Sequence, residues 1–339
     1  MAETDDGSEE DTVLSVFREQ YHIPVLAGIL TFMFWTRFQN FDVFTSNGDG
    51  VRLQAVDSWY HWRATNWTTD NFPWTLSFDP WTGFPDGATP GAFGTLFDQI
   101  VAAVALVIGL GSPGESDVLM AALITVPALG TLVALPVYAI GKRLGTRLGG
   151  LAGVGLLALF TGGFFIRSTA GQFDHHPAEA LFMSLAVLAV IAALTVAGRD
   201  RPVWELVRSR DWTALRRPTI YSALAGVAVT LYIYVWPPGV VLVGILGLYF
   251  VVQLSLDHYQ GNSVDHLAFV GVVSMLVVAA GTAAKIQQTG FGATGFNFFQ
   301  PLFALLVAGG CLFMAALARV WNAHNLDRRG FPAAVAVSI

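Results

Sequence analysis

The stretch TLFDQIVAAVALVIGLG, residues 95–111, decides the architecture. A helix needs about 20 apolar residues to cross a bilayer, and this run is short, with Asp98 and Gln99 near its start. If it crosses, two basic clusters (Lys142, Arg143, Arg147; Arg199, Arg201, Arg208, Arg210, Arg216, Arg217) fall on the face opposite the N-terminus. If it lies in the interface or re-enters, those clusters and Arg319, Arg328 and Arg329 all share the N-terminal side. Basic loops stay on the cytoplasmic side, so 95–111 is read as an interfacial or re-entrant helix.

The stronger apolar runs follow from this choice. They cover 22–38, 118–141, 150–166, 178–198, 221–236, 239–256, 267–284 and 301–320, and a further run opens at Phe331. The expected fold is an all-α polytopic membrane protein with about eight complete transmembrane helices and the start of a ninth. Residues 39–117 form a large external first loop, 171–180 the next external loop, and 285–298 another. Composition agrees: 12% of residues are charged and 54% hydrophobic, against about 25% charged in soluble domains. The acidic start (Glu3, Asp5, Asp6, Glu9, Glu10, Asp11) and the presence of only two lysines, Lys142 and Lys285, point to a high-salt proteome. Residues 1–20 are expected to be a flexible cytoplasmic N-terminus and 21–339 a membrane domain.

Several functions are excluded by what the chain lacks. Its single cysteine, Cys311, provides neither a disulfide framework nor a thiolate metal site. No Gly-rich phosphate loop, Ser/His/Asp order or nucleic-acid patch is present. The six-Arg loop at 199–217 orients the chain and touches anionic headgroups of the lipid bilayer.

Chemistry is concentrated in two external motifs. VDSWYHWR (56–63) places Asp57 at the start of a short helix, with His61 one turn on. GQFDHHPAEA (171–180) places Asp174, His175 and His176 in a row at a span boundary, where titratable groups are costly and mark function. Either acid alone reads equally well as a helix cap. Together, two carboxylates and an imidazole on one face form a candidate divalent-metal site. Oxygen ligands suit Mg²⁺ or Mn²⁺, and the imidazole favours Mn²⁺. Asp57, Asp174 and His176 are the expected ligands. His61 and His175 are weaker supporting or substrate-facing candidates, and His175 is expected to face away from the ion, since neighbours in a tight turn rarely share one centre.

VDSWYHWR, FDPWTGFPDG with GAFGTLFDQI, and GQFDHHPAEA, in this order, resemble the catalytic oligosaccharyltransferase subunits of archaea. These belong with polytopic glycosyltransferases of the GT-C kind that use lipid-phosphate donors. The resemblance implies transfer of a glycan from a dolichol-phosphate carrier to Asn in the Asn-x-Ser/Thr sites of an acceptor polypeptide, at the external face. It implies that Asp57, Asp174 and His176 hold the metal and that Asp57 also faces the acceptor asparagine. The family's later glutamate motif and Trp-Trp-Asp motif have no counterpart in these 339 residues. The chain is therefore expected to be an N-terminal part, inactive alone. Two alternatives stand beside this reading: another glycosyltransferase using a lipid-phosphate sugar, and an ion or metabolite transporter. The second fits poorly with acids at span ends and no internal repeat.

Overall fold

A computed structural model describes residues 20–46, 50–89, 94–199 and 203–338. The expected cytoplasmic tail lies, but for residue 20, outside the described residues. Among the described residues there is no strand, only two isolated bridges, Gln54 with Gln172 and Asp79 with Ala88. The helices are α1 (His22–Phe38), α2 (Phe41–Thr45), α3 (Val56–Asp70), α4 (Leu96–Ile108), α5 (Glu115–Leu132), α6 (Ala134–Leu144), α7 (Arg147–Leu159) and α8 (Gly163–Ile166). They continue with α9 (His176–Ala197), α10 (Val203–Arg208), α11 (Trp212–Val235), α12 (Val241–Gln260), α13 (Asp265–Ala283), α14 (Phe299–Ala323) and α15 (Phe331–Ser338).

Among the described residues, six helical segments are long and apolar enough to cross a membrane: Glu115–Leu144, which joins α5 to α6, then α9, α11, Pro237–Gln260, α13 and α14. The eight complete spans expected from the sequence are thus six by length. α1 has 17 residues, and α4 and α7 have 13 each. At 1.5 Å per residue, α4 and α7 extend only about 20 Å, against a hydrocarbon core of about 30 Å. The run expected over 150–166 stops at Leu159 because Phe160 turns extended, and the chain resumes a helix only at Gly163. α11 begins earlier than the expected 221. The Asp211 carboxylate caps it by accepting the Ala214 N–H at 3.1 Å, and Arg216 and Arg217 mask this first part in the hydropathy pattern.

The chain divides into two compact units. One contains the residues up to Arg63 together with Val104–Leu181. Here α1 packs on α5 and α7, and α7 folds back along α6. Met33, Ala134 and Val154 form its core, with a second cluster of Phe44, Leu123 and Ala170. The Asp117 carboxylate starts α5 by accepting the Gly114 N–H at 2.8 Å.

The other unit contains Ala64–Ala103 and Phe182–Ile339. α11, α13 and α14 are its central stack, with α12 against α14. Ile233, Phe250, Met275, Val278 and Met314 are buried there. Asp98, the acid that weakened 95–111 as a span, is buried and accepts the Thr65 hydroxyl at 3.3 Å. The 285–298 loop is tied to itself by amides: Asn297 Nδ2 donates to the Gly292 carbonyl at 2.9 Å, and Gln300 Nε2 to that of Gly295 at 2.7 Å.

Candidate active site

The site is built on a short strap, residues 168–174, and on the first turns of α3. Gly171 adopts φ +92°, and a Cβ there would lie 2.1 Å from the Phe44 ring, so only glycine fits this turn. Around it the backbone is held on both sides. The Gln54 N–H donates to the Gly171 carbonyl at 2.9 Å, and Gln172 Nε2 to Gln54 Oε1 at 2.8 Å. The Phe173 N–H donates to Ser58 Oγ at 3.0 Å. Asp174 therefore leaves a fixed strap immediately before α9 begins.

Asp174 is buried, yet its carboxylate is well supplied with donors. Oδ1 accepts the His175 backbone N–H at 2.7 Å and faces His175 Nδ1 at 2.8 Å. His61 Nε2 lies 3.7 Å from the same oxygen and 3.1 Å from His175 Nδ1. Burial by itself would raise the Asp174 pKa. The hydrogen bonds from His175 and His61 outweigh it and hold the carboxyl well below the usual carboxylate range. For His175, burial wins over the bond to Asp174 and lowers its pKa, so the ring is a neutral donor to an ionised acid.

His176 meets the other carboxylate oxygen: Nε2 lies 3.3 Å from Asp174 Oδ2. Its Nδ1 lies 3.2 Å from Glu179 Oε2, and Arg167 Nη1 approaches Nε2. Nε2 of the His176 ring thus lies between Asp174 and Arg167, and Nδ1 faces Glu179. A ring nitrogen beside a carboxylate oxygen, with the other ring nitrogen against a second carboxylate, is an arrangement found around metal-binding histidines. Among the described residues two groups could hold an ion: His61 with Asp174 and His175, and His175 with His176 and Glu179.

The structure thus brings Asp174, His175, His176 and His61 together. His175 turns its Nδ1 to the Asp174 carboxylate, the place of a supporting residue. Successive residues reach the two oxygens of Asp174 from different directions, because His175 precedes α9 while His176 is its first residue. Asp57 belongs to neither metal-capable group. It lies in the first turn of α3, partly exposed, next to Ser58 and one turn before His61. Ser58, Gln54, Arg167 and Glu179 were not named as site residues from the sequence. Gln54 and Ser58 meet partners 118 and 115 positions away, which no local spacing signals, whereas Glu179 is an i, i+3 neighbour of His176 on α9.

The chain is a helical membrane protein with an acid–imidazole cluster at the head of a span, and comparison with known proteins places it in a family. A family model described as "Oligosaccharyl transferase STT3, N-terminal" matches residues 25–335, and the chain belongs to this family. It is 49% identical over 325 residues to the dolichyl-monophosphooligosaccharide–protein glycotransferase AglB of Haloferax volcanii, covering 96% of this chain and 31% of that protein. Its fold matches the Archaeoglobus fulgidus oligosaccharyltransferase AglB, solved with an inhibitory peptide and a dolichol-phosphate. The TM-score is 0.82 at 25% identity, over 95% of this chain and 36% of that one. The same Archaeoglobus enzyme in complex with zinc and sulfate matches at TM-score 0.78 and 25% identity, over 92% of this chain and 38% of that one. The chain spans about a third of the length of these relatives. Six membrane-capable helices and this kinship make it a multi-pass membrane protein.

Proposed function

We propose that this chain carries the metal-holding part of an oligosaccharyltransferase active site. The reaction is transfer of a glycan from a dolichol-phosphate carrier to the side-chain amide of Asn in Asn-x-Ser/Thr. The observation that carries the proposal is the Asp174–His176 pair, a carboxylate oxygen with a ring nitrogen 3.3 Å away. Its context is a chain of the STT3 family. Asp57, Asp174 and His176 are the proposed ligands, and Mn²⁺ or Mg²⁺ the proposed ion, matched to two carboxylates and one imidazole. When bound, the ion supplies Lewis acidity that neutralises charge on the departing phosphate.

The protein side chains do the rest. His61 and His175 keep Asp174 ionised and oriented, and Glu179 holds the other side of the His176 ring. An amide nitrogen is a poor nucleophile because its lone pair is delocalised into the carbonyl. The Asp57 carboxylate, partly exposed at the head of α3, accepts the amide N–H groups, reduces that delocalisation and orients the nitrogen. The site faces outward and the basic loops face the cytoplasm, with residues 21–339 forming the membrane part of the transferase.

The test uses a chimera in which this chain replaces the corresponding part of the Haloferax volcanii relative. It is assayed with a dolichol-phosphate-linked glycan and an Asn-x-Thr peptide. Metal-dependent glycopeptide formation is expected, reduced to background by Asp57→Ala and by Asp174→Ala. Undiminished transfer by both variants would overturn the proposal.

A further inference from the structure

Arg37 is a buried charge that the proposed reaction does not use. Arg37 lies one residue from the end of α1 and is fully buried, at 0% exposure. Burying a guanidinium is costly unless its donors are satisfied. Its partners are modest: Nε donates to Ser168 Oγ at 2.8 Å, and Nη1 to the Met33 carbonyl at 3.1 Å. Neither is a carboxylate, and Nη2 is buried with no hydrogen-bond partner. A residue held at such expense needs a reason beyond packing.

The reason lies in what Arg37 touches. Its guanidinium carbon lies 5.5 Å from the centre of the Phe164 ring and 5.4 Å from that of Phe165, within cation–π range. Ser168 Oγ, which accepts from Arg37, in turn donates to the Phe164 carbonyl at 2.7 Å. The main-chain carbonyl of Arg37 accepts the Ala170 N–H at 2.9 Å. Arg37 thus holds 164–170 by side chain and backbone, directly before the strap that ends in Asp174. Across from it α5 presents Gly130, where a Cβ would lie 2.5 Å from Ser168 Cβ and 3.3 Å from Arg37 Nε. The Arg37–Ser168 contact fits only because that position is bare.

We propose that Arg37 is a positioning residue for the metal site, clamping the chain before Asp174 so that carboxylate and imidazole meet one ion. It acts through Ser168 and the strap and touches neither ion nor substrate. The inference rests on the reading of Asp174 as a ligand, and its test is arranged to separate the two.

Two readouts are taken on the purified 339-residue chain in detergent: Mn²⁺ affinity by titration, and hydrogen exchange of peptides covering 164–175. Supporting residues behind metal ligands typically change affinity by about 10- to 100-fold. Arg37→Met and Gly130→Ala should each weaken Mn²⁺ binding about tenfold and speed exchange in 164–175, leaving exchange in α11, α13 and α14 unchanged. Arg37→Lys keeps a cation over the two rings and one donor for Ser168, so it should recover most of both signals. Should Arg37→Met fail to fold, Ser168→Ala and Gly130→Ala carry the test. Native Mn²⁺ affinity and native exchange at 164–175 in Ser168→Ala and Gly130→Ala would overturn the inference. Native Mn²⁺ affinity in Asp174→Ala would instead overturn the site reading on which it rests. Loss in Asp174→Ala with no effect of the clamp variants overturns the clamp alone.

Discussion

The two acidic motifs differ in how far the folded chain has prepared them. Asp174 is buried, receives a main-chain N–H and an imidazole on one oxygen, and faces a second imidazole on the other. Asp57 is partly exposed in the first turn of α3 and joins neither group of potential ligands. One acid is set in place by the protein, whereas the other has room to meet what arrives. That division suits the two tasks proposed. A metal ligand gains from being fixed before the ion binds, because the organising free energy is then already spent in folding. A group that must grip an incoming amide gains from access.

The largest effect expected in breaking this comparison comes from Asp174→Ala. It should abolish metal-dependent transfer in the chimera and Mn²⁺ binding by the chain, both read by titration. Asp57→Ala should also abolish transfer but weaken Mn²⁺ binding much less, since the Asp174–His176 pair is formed without it. Equal losses of binding in the two variants would erase the distinction. His175→Ala removes a donor from Asp174 and should weaken Mn²⁺ binding about tenfold, a larger effect than a side chain pointing away would produce. Ser58→Ala leaves the Phe173 N–H without its partner and should cost about 1–3 kcal/mol in thermal stability measured in detergent. The smallest effect concerns Asn66-Trp67-Thr68, an Asn-x-Thr site by sequence. It lies inside α3 with Thr68 fully buried, so intact mass should be the same for Asn66→Gln and the native chain apart from the substitution itself.

Much of this could be read from the chain. Hydropathy and the placement of Arg and Lys gave the helical membrane fold and marked 95–111 as the weak run, and that run forms only a short helix. The Asp-His-His string announced the site. Helix lengths were harder, because an apolar window cannot see the extended turn at Phe160 that ends α7. Spacing alone does not give the direction the His175 ring takes, because α9 begins between it and the next histidine. The supports around Asp174 come from far along the chain, Ser58 and His61 from α3 and Arg37 from α1. One of them did leave a trace: an arginine within an apolar helix is itself a signal, and Arg37 was passed over.

The central claim is that Asp174 and His176, not His175, present the metal-binding pair. Electron spin echo spectroscopy of Mn²⁺ bound to the chain reads imidazole nitrogen directly. The account predicts nitrogen modulation in the native chain, retained in His175→Ala and lost in His176→Ala. Modulation that survives in His176→Ala and vanishes in His175→Ala would contradict it, moving the ion to the His61–Asp174–His175 side of the carboxylate.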